Sequence, residues 1–577
     1  MNNRIAIIIA ISNVNNKYHI TKILKNILVP SPYSVEVIFI NEINVAKAYN
    51  TGLNKTTADY KLYIREDVFF LETEFLSRLT YMIPTYEHRF AIGCLGSYLT
   101  SDGNYAKKNK LYGSYKYRSN DKIEYSNARN VLYRQKVHIL DSSILFTNSN
   151  IKWDECVGNI FYMAAYCCKL RNEDVSQYVI EDIYRLEPLM GRHSDFDYDY
   201  NNDEYTKALK VFTQKYKNII RPLVSIGIPT FNNHKYFEET LLTALNQDYD
   251  NIEIIVGDDS TNNLTELLIK DYLEKYDNIN YINNGGPLGN NGEKNITNIL
   301  NLCRGNYLQL LFHDDLIYHD KISTMMELFL EDVDGEIGFI ASSRDLINSA
   351  GEICINQSSN SIYEYNIING RSFGKKFFQC YFNYIGENST VLLRKENVYR
   401  TQYNIYDIGY YWNIRENCLG DITTWLDISR YKNFIYINRP LSAFRLTTSN
   451  EQNSNNVNIQ VEIKITYLLV TVMAWLNNDF IDDELEFYSA CDKWAVWIYP
   501  GTRLLSQNKL LSEKSKLTVE IINTCYSFIH EKKYQNVLDL LIRYLLIDNS
   551  DCRELIKNSY YDEKDGLWKK IGEIRYE

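Results

Sequence analysis

Leu310-Leu311-Phe312-His313-Asp314-Asp315 is an apolar run that ends abruptly in two carboxylates, and Val256-Gly257-Asp258-Asp259-Ser260 repeats this pattern upstream. An apolar run of this length is typical of a buried parallel strand, and the carboxylates then lie at its C-terminal end. In open α/β sheets, ligands bind just outside the carboxyl ends of the strands. The two stretches therefore predict a pocket that holds a divalent cation and a nucleotide, as in enzymes that handle nucleoside diphosphates.

Length, charge and cysteine content restrict the class of protein. The chain has 577 residues, too many for one hydrophobic core, so we expect about two to four domains. A net charge of −11 provides no basic field, so we expect no nucleic-acid partner. Eleven cysteines without a CxxC pair or zinc spacing indicate reduced thiols and a cytoplasmic location. The first apolar run, Ile5–Ile11, is one strand long and too short to span a bilayer.

The chain contains a weak internal duplication. Each half begins with an apolar run, Ile5–Ile11 or Leu223–Ile228, and an Asn-containing polar segment follows it. Two further predicted strands follow helix-like stretches in each half, at Val35–Ile40 and Tyr60–Ile64 and at Ile252–Val256 and Tyr307–Phe312. Strands that alternate with helices predict βαβ units and a parallel sheet. The sequence therefore predicts two α/β domains of similar topology, one after the other.

Two changes of composition predict the domain boundaries. The acidic segment Asp195–Glu204 has no apolar period and predicts a solvated linker, followed by a helix at Tyr205–Tyr216. From about residue 457 the apolar spacing becomes helical and strand-like runs become scarce. We predict domains at residues 1–205, 222–455 and 456–577, the last with helices at Val461–Leu476, Asp483–Trp497, Leu517–His530 and Val537–Ile547.

Residues 222–455 resemble a family 2 glycosyltransferase with the GT-A fold, because several motifs occur in the family's order. Leu223–Asn232 is similar to the first strand and nucleotide loop, which implies donor contacts from Pro229 and Phe231. The pair Asp258-Asp259 resembles the nucleotide motif, and the resemblance implies that Asp259 contacts the uracil. His313-Asp314-Asp315 resembles the DxD-type motif, which implies a metal ligand at Asp315. The two motifs together imply that Asp258 and Asp314 also lie in the donor site.

Two later segments extend the resemblance. Gly420–Leu426 resembles the segment that carries the catalytic base, which here is Asp421. Pro440–Arg445 resembles the segment that closes the site, which implies that Arg445 lies near the donor phosphates. Thr447 stands where many members carry a further metal-binding His, so the metal is left to Asp315 and the diphosphate.

The chemistry of sugar transfer explains these residue types. The leaving diphosphate gathers negative charge, which a divalent cation such as Mn²⁺ or Mg²⁺ neutralises, and such cations prefer carboxylate oxygens. The acceptor hydroxyl loses a proton as it attacks the anomeric carbon, and a nearby carboxylate can accept that proton. One in-line displacement inverts the configuration. We expect the metal-binding Asp315 to be exposed at its strand end.

Residues 1–205 resemble a divergent family 2-like glycosyltransferase domain with the same GT-A core. Asp67 occupies the metal-motif position, and His193 resembles a metal-binding His of a closing segment, so this pair is a second candidate site. Asn41-Glu42 replaces the paired nucleotide aspartates, and Met163 stands where relatives carry an acid. The expected base is therefore missing, and we expect a role in acceptor binding or architecture, with catalysis as the alternative.

The predicted fold class is thus α/β, with two tandem GT-A domains, Rossmann-like and mostly parallel, followed by an α-helical C-terminal region. The resemblance implies an inverting hexosyl- or N-acetylhexosaminyltransferase that moves a sugar from a nucleotide-sugar donor, UDP-linked, to a glycan or protein acceptor in bacterial surface glycan or glycoprotein synthesis. Three alternatives are a bifunctional transferase, a non-catalytic carbohydrate-binding scaffold, and a nucleotidyltransferase, which would need a glycine-rich basic fingerprint that is missing after the first strand. A homodimer and peripheral membrane association stay open.

Overall fold

A computed structural model provides the coordinates of the chain. It describes residues 3–548 apart from residues 13–16, 18–19, 22–23, 67–68, 71–72, 85–86, 100–110, 114–115, 120–121, 126–130, 132–133, 181–189, 192–202, 290–291, 357–363, 412–413, 416–418, 447–455 and 506–507. Contacts divide the chain into two compact units, Met1–Pro222 with Met326–Asp334 and Leu223–Met325 with Gly335–Glu577. The sequence boundary predicted near Pro222 coincides with the end of the first segment.

The first unit is an α/β domain with a central seven-stranded sheet. Its strands are β1 (Arg4–Ile11), β2 (Ser34–Asn41), β3 (Tyr60–Arg65), β4 (Phe69–Phe70), β5 (Phe90–Gly93), β6 (Leu95–Ser97), β7 (Leu111–Gly113), β8 (Lys116–Ser119), β9 (Lys122–Tyr125), β10 (Arg134–Lys136), β11 (Ile139–Leu140), β12 (Ile144–Thr147), β13 (Ser176–Ile180) and β14 (Met190–Gly191). Its helices are α1 (Val45–Leu53), α2 (Phe75–Tyr81), α3 (Tyr162–Asn172), α4 (Asp203–Lys215) and α5 (Lys217–Ile220).

The second unit begins with another α/β domain, whose main sheet has ten strands. The strands that follow residue 222 are β15 (Val224–Thr230), β16 (Ile252–Asp258), β17 (Ile279–Asn283), β18 (Tyr307–Leu310), β19 (Leu316–Ile317), β20 (Ile337–Ile347), β21 (Ile353–Asn356), β22 (Tyr365–Ile368), β23 (Val391–Arg394), β24 (Tyr399–Arg400), β25 (Ile405–Tyr406), β26 (Tyr410–Tyr411), β27 (Ile414–Arg415) and β28 (Asn433–Arg445). The helices between these strands are α6 (His234–Leu245), α7 (Leu264–Lys275), α8 (Glu293–Leu302), α9 (Lys321–Glu331), α10 (Gly370–Cys380) and α11 (Gly420–Ser429).

The predicted duplication is confirmed by the strand order. The first sheet runs β10-β13-β5-β12-β3-β1-β2, and the main path of the second runs β17-β16-β15-β18-β23-β20-β28-β19. The path β2-β1-β3-β12-β5-β13 therefore corresponds to β16-β15-β18-β23-β20-β28. The pairing directions agree at each step, since both series read parallel, parallel, antiparallel, antiparallel, parallel. Both halves therefore bring the C-terminal ends of their first three strands to one edge.

Near-continuous apolar runs form the central strands because both faces of the sheet are covered. In β1, every residue after Arg4 is buried. Ala6, Ile8 and Ala10 belong to the core on one face, while Ile5 and the alternating isoleucines belong to the core on the other face. This is the pattern expected of a strand buried on both sides.

The C-terminal region is helical, as predicted, and it packs on the second α/β domain. Its helices are α12 (Val457–Leu476), α13 (Glu484–Trp497), α14 (Thr502–Leu505), α15 (Glu513–His530) and α16 (Tyr534–Asp548). One continuous apolar core joins their buried faces to α10 and α11, through residues such as Phe377, Trp425 and Ile465. Gly374 in α10 has no room for a side chain, because an added Cβ would lie 2.2 Å from the Phe480 ring.

Helix α12 is long and apolar enough to cross a membrane when length and composition alone are considered, and among the described residues it is the one such helix. In the structure, 61% of its most apolar window is buried against other parts of the protein. An apolar helix of this kind also serves as the core helix of a bundle. This agrees with the buried helix that the sequence predicts at Val461–Leu476.

Two predicted details differ from the structure. The third strand of the second domain ends at Leu310 rather than Phe312, because the chain turns after Leu311, with Asp315 N bonded to Phe312 O. The predicted acidic linker ends early, since Asp203 and Glu204 already form the first turn of α4, where acidic side chains favour helix formation. Residues 195–202 of that linker lie outside the described residues.

Candidate active site

The predicted nucleotide pocket lies at the C-terminal edge of three neighbouring parallel strands. In the register of β15 and β16, Pro229 pairs with Gly257 and Thr230 pairs with Asp258. Strand β18 lies on the other side of β15 and leads into the second acidic pair. The two acidic pairs quoted at the outset therefore meet at one sheet edge, as the sequence predicted.

The carboxylate of Asp259 is held by the loop that follows β17. Asn284 Nδ2 donates to Asp259 Oδ1 at 2.8 Å, and Leu288 N donates to Asp259 Oδ2 at 3.3 Å. Asn295 fixes Asn284 in turn, because its Oδ1 accepts from Asn284 Nδ2 at 3.0 Å while its Nδ2 donates to Gly257 O at 2.8 Å. A larger residue than Gly257 would collide with Asn295, since an added Cβ would lie 2.2 Å from Asn295 Oδ1.

Asp258 has a different role from its neighbour. Its Oδ1 accepts from Ser260 N at 2.9 Å, and its Oδ2 accepts from the Tyr281 hydroxyl at 2.7 Å. The side chain is buried, and these bonds shape the turn after β16. Ser260 Oγ then accepts from Asn232 N at 2.8 Å, which ties the loop after β15 to the loop after β16.

Phe231 and His313 stand at the strand ends. Phe231 is 46% exposed, and its backbone N donates to His313 Nδ1 at 3.2 Å. Burial lowers the pKa of His313, although the charges of Asp314 and Asp258 oppose this shift. Because Nδ1 accepts a hydrogen bond, the neutral ring carries its proton on Nε2. The Nδ1 lone pair of His313 is therefore already used by the Phe231 backbone and is not open to a metal.

Asp314 and Asp315 have contrasting surroundings. Asp315 is buried, with 1% of its surface exposed, so the expectation of an exposed ligand at this position is wrong. Ser389 Oγ donates to Asp315 Oδ2 at 2.6 Å, and Arg445 N donates to Asp315 Oδ1 at 3.2 Å. Burial raises the pKa of Asp315 to about 8. For the carboxylate of Asp314, no hydrogen-bond partner is found within the described part of the chain, so its oxygens are available to a ligand.

A lysine that the sequence analysis did not single out lies behind this pair. Lys321 is fully buried, and its Nζ donates to Ser389 O at 2.7 Å. Burial lowers the pKa of Lys321 to about 7, and the charge of Asp315 opposes the shift. Lys321 and Ser389 thus fix the strand end from inside the domain.

Arg445 is completely buried and organises the closing strand. Its Nε donates to Asp314 O at 2.9 Å, its Nη1 donates to Asn348 O at 3.2 Å, and its Nη2 pairs with Glu239 Oε2 at 2.6 Å. The guanidinium also lies 4.7 Å from the centroid of the Tyr236 ring. The guanidinium predicted to face the donor phosphates is thus engaged by protein groups, and it holds the backbone of Asp314 in place.

Asp421 lies in the first turn of α11. Asn383 Nδ2 donates to Asp421 Oδ2 at 3.0 Å. Burial raises the pKa of Asp421 to about 6, with a further upward contribution from the charge of Glu387 and an opposing one from Arg344. A carboxylate with a pKa in this range is suited to general-base catalysis near neutral pH.

Glu387 is a further acidic residue of this region, and the sequence analysis missed it. Its charge acts on both Asp315 and Asp421. Its Oε2 lies 2.8 Å from Arg344 Nε, in an ion pair whose side chains are 28% and 19% exposed. The sequence carried no signal for this residue, because the burial of the Asn388-Ser389-Thr390 turn that follows it appears only in the structure.

No group of three or more His, Cys, Asp or Glu side chains that would hold a metal unaided occurs among the described residues. In the first unit, Asp67 and His193 lie outside the part of the chain that the structure describes. Met163 is buried in the core, and Glu42 pairs with Lys47 at 2.8 Å. The roles inferred for Asp67 and His193 stay predictions.

The family models match both α/β domains. Residues 225–383 match the model described as "Glycosyl transferase family 2", and residues 6–216 match the model described as "Glycosyltransferase like family". The two domains are tandem glycosyltransferase family 2 domains. The second match includes the acidic pairs at Asp258 and Asp314 but ends before Asp421, so the assignment of the base rests on geometry.

Several proteins are similar to parts of this chain. An uncharacterized glycosyltransferase of Rickettsia prowazekii is 36% identical over 148 residues, which are 26% of this chain and 42% of that protein. A GalNAc(5)-diNAcBac-PP-undecaprenol beta-1,3-glucosyltransferase of Campylobacter jejuni is 33% identical over 107 residues, which are 18% of this chain and 34% of that protein. The chain therefore spans less than half the length of either curated relative.

Among solved structures, residues 1–349 of S. aureus TarS are 14% identical to this chain, with a TM-score of 0.37 and coverage of 59% of this chain and 93% of that one. The same protein in complex with UDP-GlcNAc gives a TM-score of 0.36 at 14% identity, with coverage of 56% and 91%. Both scores are too low to support a conclusion about this chain.

Proposed function

We propose that the second α/β domain catalyses inverting transfer of a sugar from a UDP-linked donor to a hydroxyl group of a glycan or protein acceptor. The observation that carries this proposal is the segment 383–389, because Asn383 Nδ2 donates to Asp421 Oδ2 at 3.0 Å and Ser389 Oγ donates to Asp315 Oδ2 at 2.6 Å. This segment brings helix α11, which carries Asp421, and the acidic strand ends into one site. Such a site has a carboxylate for the proton next to carboxylates suited to a diphosphate and its cation.

The nucleotide half of the site suits a pyrimidine base. Asp259 is fixed by Asn284 and by the backbone of Leu288, so its oxygens keep a constant direction. A carboxylate accepts hydrogen bonds, and the N3–H of uracil is a donor that matches it. The exposed ring of Phe231 at the same edge offers an apolar surface for the base.

The residues present fit a divalent cation that the diphosphate helps to bind. Mg²⁺ and similar ions are commonly held by one or two carboxylates together with substrate phosphates and water. We assign the protein ligand to Asp314 rather than Asp315, because both oxygens of Asp315 already accept protein hydrogen bonds. When bound, the cation supplies neutralisation of the charge that develops on the leaving diphosphate.

Asp421 supplies the base. The acceptor oxygen attacks the anomeric carbon and forms the new glycosidic bond as the bond from that carbon to the diphosphate oxygen breaks. Asp421 Oδ takes the hydroxyl proton, and the bonding electrons leave with the nucleoside diphosphate. Asn383 orients the carboxylate through its 3.0 Å hydrogen bond. The attack comes from the face opposite the leaving group, so the configuration inverts.

Other features support the remaining parts of the proposal. The Campylobacter relative is named as a glucosyltransferase for a PP-undecaprenol-linked substrate, and we extend a glycan acceptor of that class to this chain. All nine cysteines among the described residues are free thiols, in keeping with a reducing cytoplasm. The first domain then acts as an acceptor-binding or architectural domain.

The test is a screen of nucleotide sugars with the purified full-length chain, with release of UDP as the readout. We expect UDP release from at least one UDP-sugar, and we expect Asp421→Asn to lower the rate of transfer about 100-fold or more while donor affinity is retained. Equal losses of donor affinity and rate would place Asp421 in the nucleotide site instead. No UDP release with any nucleotide sugar would favour a carbohydrate-binding scaffold.

A further inference from the structure

The C-terminal helices contact the segment that holds the catalytic base. The hydroxyl of Tyr381, which follows α10, lies 2.6 Å from Thr471 Oγ1 in α12 and 3.2 Å from Ala490 O in α13. Tyr381 has a φ of 49°, a left-handed conformation that a bulky residue adopts at a cost unless its surroundings fix it. The ring is buried between helices, so the C-terminal region determines where the segment that starts at Tyr381 runs.

Asn383 lies two residues further on, and its amide group is oriented by the same segment. Its Oδ1 accepts from Ile385 N and from Gly386 N, each at 3.2 Å. These two bonds identify the oxygen side of the amide, so the Nδ2 side faces Asp421, to which it donates at 3.0 Å. The amide is therefore a fixed donor to one carboxylate oxygen.

Two further interactions link the C-terminal region to Tyr381 and to helix α11, which carries Asp421. Tyr467 in α12 packs its ring 5.5 Å from that of Tyr381, and burial together with the charge of Asp421 raises the pKa of Tyr467 to about 12. Asp479, which follows α12, pairs with Arg430 at 2.8 Å, and Arg430 pairs with Asp427 of α11 at 2.8 Å. Helix α11 is thus held near its C-terminal end as well as beside Asp421.

We propose that Asn383 is the positioning residue for Asp421, and that Thr471 of α12 and Ala490 of α13 hold Asn383 in place through their contacts with Tyr381. This inference rests on the proposed role of Asp421 as the base. The family match ends at residue 383, so it includes neither Asp421 nor the C-terminal helices.

The proposal has a signature that a merely structural role would lack. A hydrogen bond donated to a carboxylate favours its charged form, so loss of the bond raises the pKa of the base. Among the described residues, the other groups that act on Asp421 are the backbone N–H groups of Ile422 and Asp421 itself, the charged side chains of Glu387 and Arg344, and Tyr467 from α12. These groups remain in an Asn383 variant. A shift of the acid limb of the kcat–pH profile to higher pH therefore reports the loss of the Asn383 contact.

The experiment measures kcat and donor KM from pH 5 to pH 9 for full-length variants, with thermal unfolding as a check on folding. We expect Asn383→Ala to move the acid limb of kcat upward by about one pH unit, which lowers kcat roughly fivefold at pH 6, with donor KM unchanged. Asn383→Asp keeps the oxygen that accepts from Ile385 and Gly386 and adds a like charge, so its shift is larger. Tyr381→Phe keeps the ring and loses both hydroxyl contacts, so it shifts the limb in the same direction by less.

Tyr488→Phe is the matched control, because Tyr488 lies on α13 and its hydroxyl bonds to Glu484 at 3.1 Å. We expect its profile to match that of the unmodified protein. If both Asn383 variants kept an unshifted acid limb while Asp421→Asn remained inactive, the positioning role would be refuted and the proposed base would stand. If Asp421→Asn transferred sugar normally, the proposed function itself would fail. If Tyr381→Phe left the limb in place while Asn383→Ala moved it, the part assigned to the C-terminal helices would be refuted.

Discussion

Asp314 and Asp315 are adjacent in the sequence, yet only Asp315 has both carboxylate oxygens bound by protein groups, Ser389 Oγ and Arg445 N. The peptide carbonyl of Asp314 accepts from Arg445 Nε at 2.9 Å. One arginine thus fixes the backbone of Asp314 and, through its own backbone N–H, the side chain of Asp315. Asp315 is thus held by protein groups on both oxygens, and Asp314 is the neighbour to which we assign ligand binding.

The first prediction separates these two roles. Asp314→Asn keeps the shape of the side chain and loses its charge, so we expect transfer to fall about 100-fold or more with little change in thermal stability. Asp315→Asn places an amide among donors that need an acceptor, so we expect a lower unfolding midpoint as well as lower activity. The measurement is donor turnover with and without Mn²⁺, together with calorimetry. Normal Mn²⁺-dependent turnover by Asp314→Asn would return the metal to Asp315.

The second prediction concerns the pH dependence of the base. Asp421 must be ionised to accept a proton, and its pKa is raised to about 6, so kcat should rise with pH through that value. Glu387→Gln removes a like charge, which lowers the pKa of Asp421, so the acid limb should move to lower pH. The rate profile of kcat at saturating donor measures both. An unshifted limb in Glu387→Gln would mean that Glu387 is remote from the base.

The third prediction concerns nucleotide recognition. Asp259→Ala removes the carboxylate that Asn284 and the Leu288 backbone hold, and a hydrogen bond to a charged group contributes about 1.5–3 kcal/mol. We therefore expect UDP to bind at least 10-fold more weakly, as measured by titration calorimetry. Asp277→Ala, an exposed aspartate after α7, serves as the control and should bind UDP normally. Tighter binding of GDP than UDP by the unmodified protein would contradict the assignment of uracil as the nucleobase of the donor.

The fourth prediction concerns stability. Asp427 pairs with Arg400 at 2.6 Å and with Arg430 at 2.8 Å, and all three side chains are buried. Asp427→Ala leaves the buried guanidinium of Arg400 without its carboxylate partner and leaves Arg430 with Asp479 alone, so we expect a loss of about 3–5 kcal/mol in the free energy of unfolding. Asp492→Ala removes an exposed partner of Lys532, so it should cost about 0–1 kcal/mol. Denaturant unfolding of both variants provides the comparison, and equal midpoints would show that the Asp427 network is dispensable.

The fifth prediction concerns the first domain. Met163 is buried and cannot accept a proton, and Glu42 at the nucleotide position is paired with Lys47. We therefore expect Asp67→Ala to leave the main transferase activity almost unchanged, whereas Asp314→Asn removes it. Product masses on the native acceptor are the measurement. A product that lacks one of two different sugars in the Asp67 variant would show that both domains are active.

Periodicity and local composition were sufficient to predict most of the fold. Isoleucine-rich runs such as Arg4–Ile11 favour strands that are buried on both faces, and the apolar spacing after residue 457 favours helices, which appear at Val457–Leu476 and beyond. Even the duplication was visible, because each half repeats strand and helix in the same order. These features depend on contacts between near neighbours in the chain.

The surroundings of each site residue were decided by the tertiary structure alone. No local signal distinguishes Asp314 from Asp315, since the difference is made by Ser389 and Arg445, which lie 74 and 130 positions away from Asp315 in sequence. The same is true of Asn383 and Asp421, joined across 38 positions. The sequence by itself determined which residue types reach the strand ends. The folded chain decided which carboxylates remain free to bind a ligand or accept a proton, because burial, ion pairing and hydrogen bonding act through space.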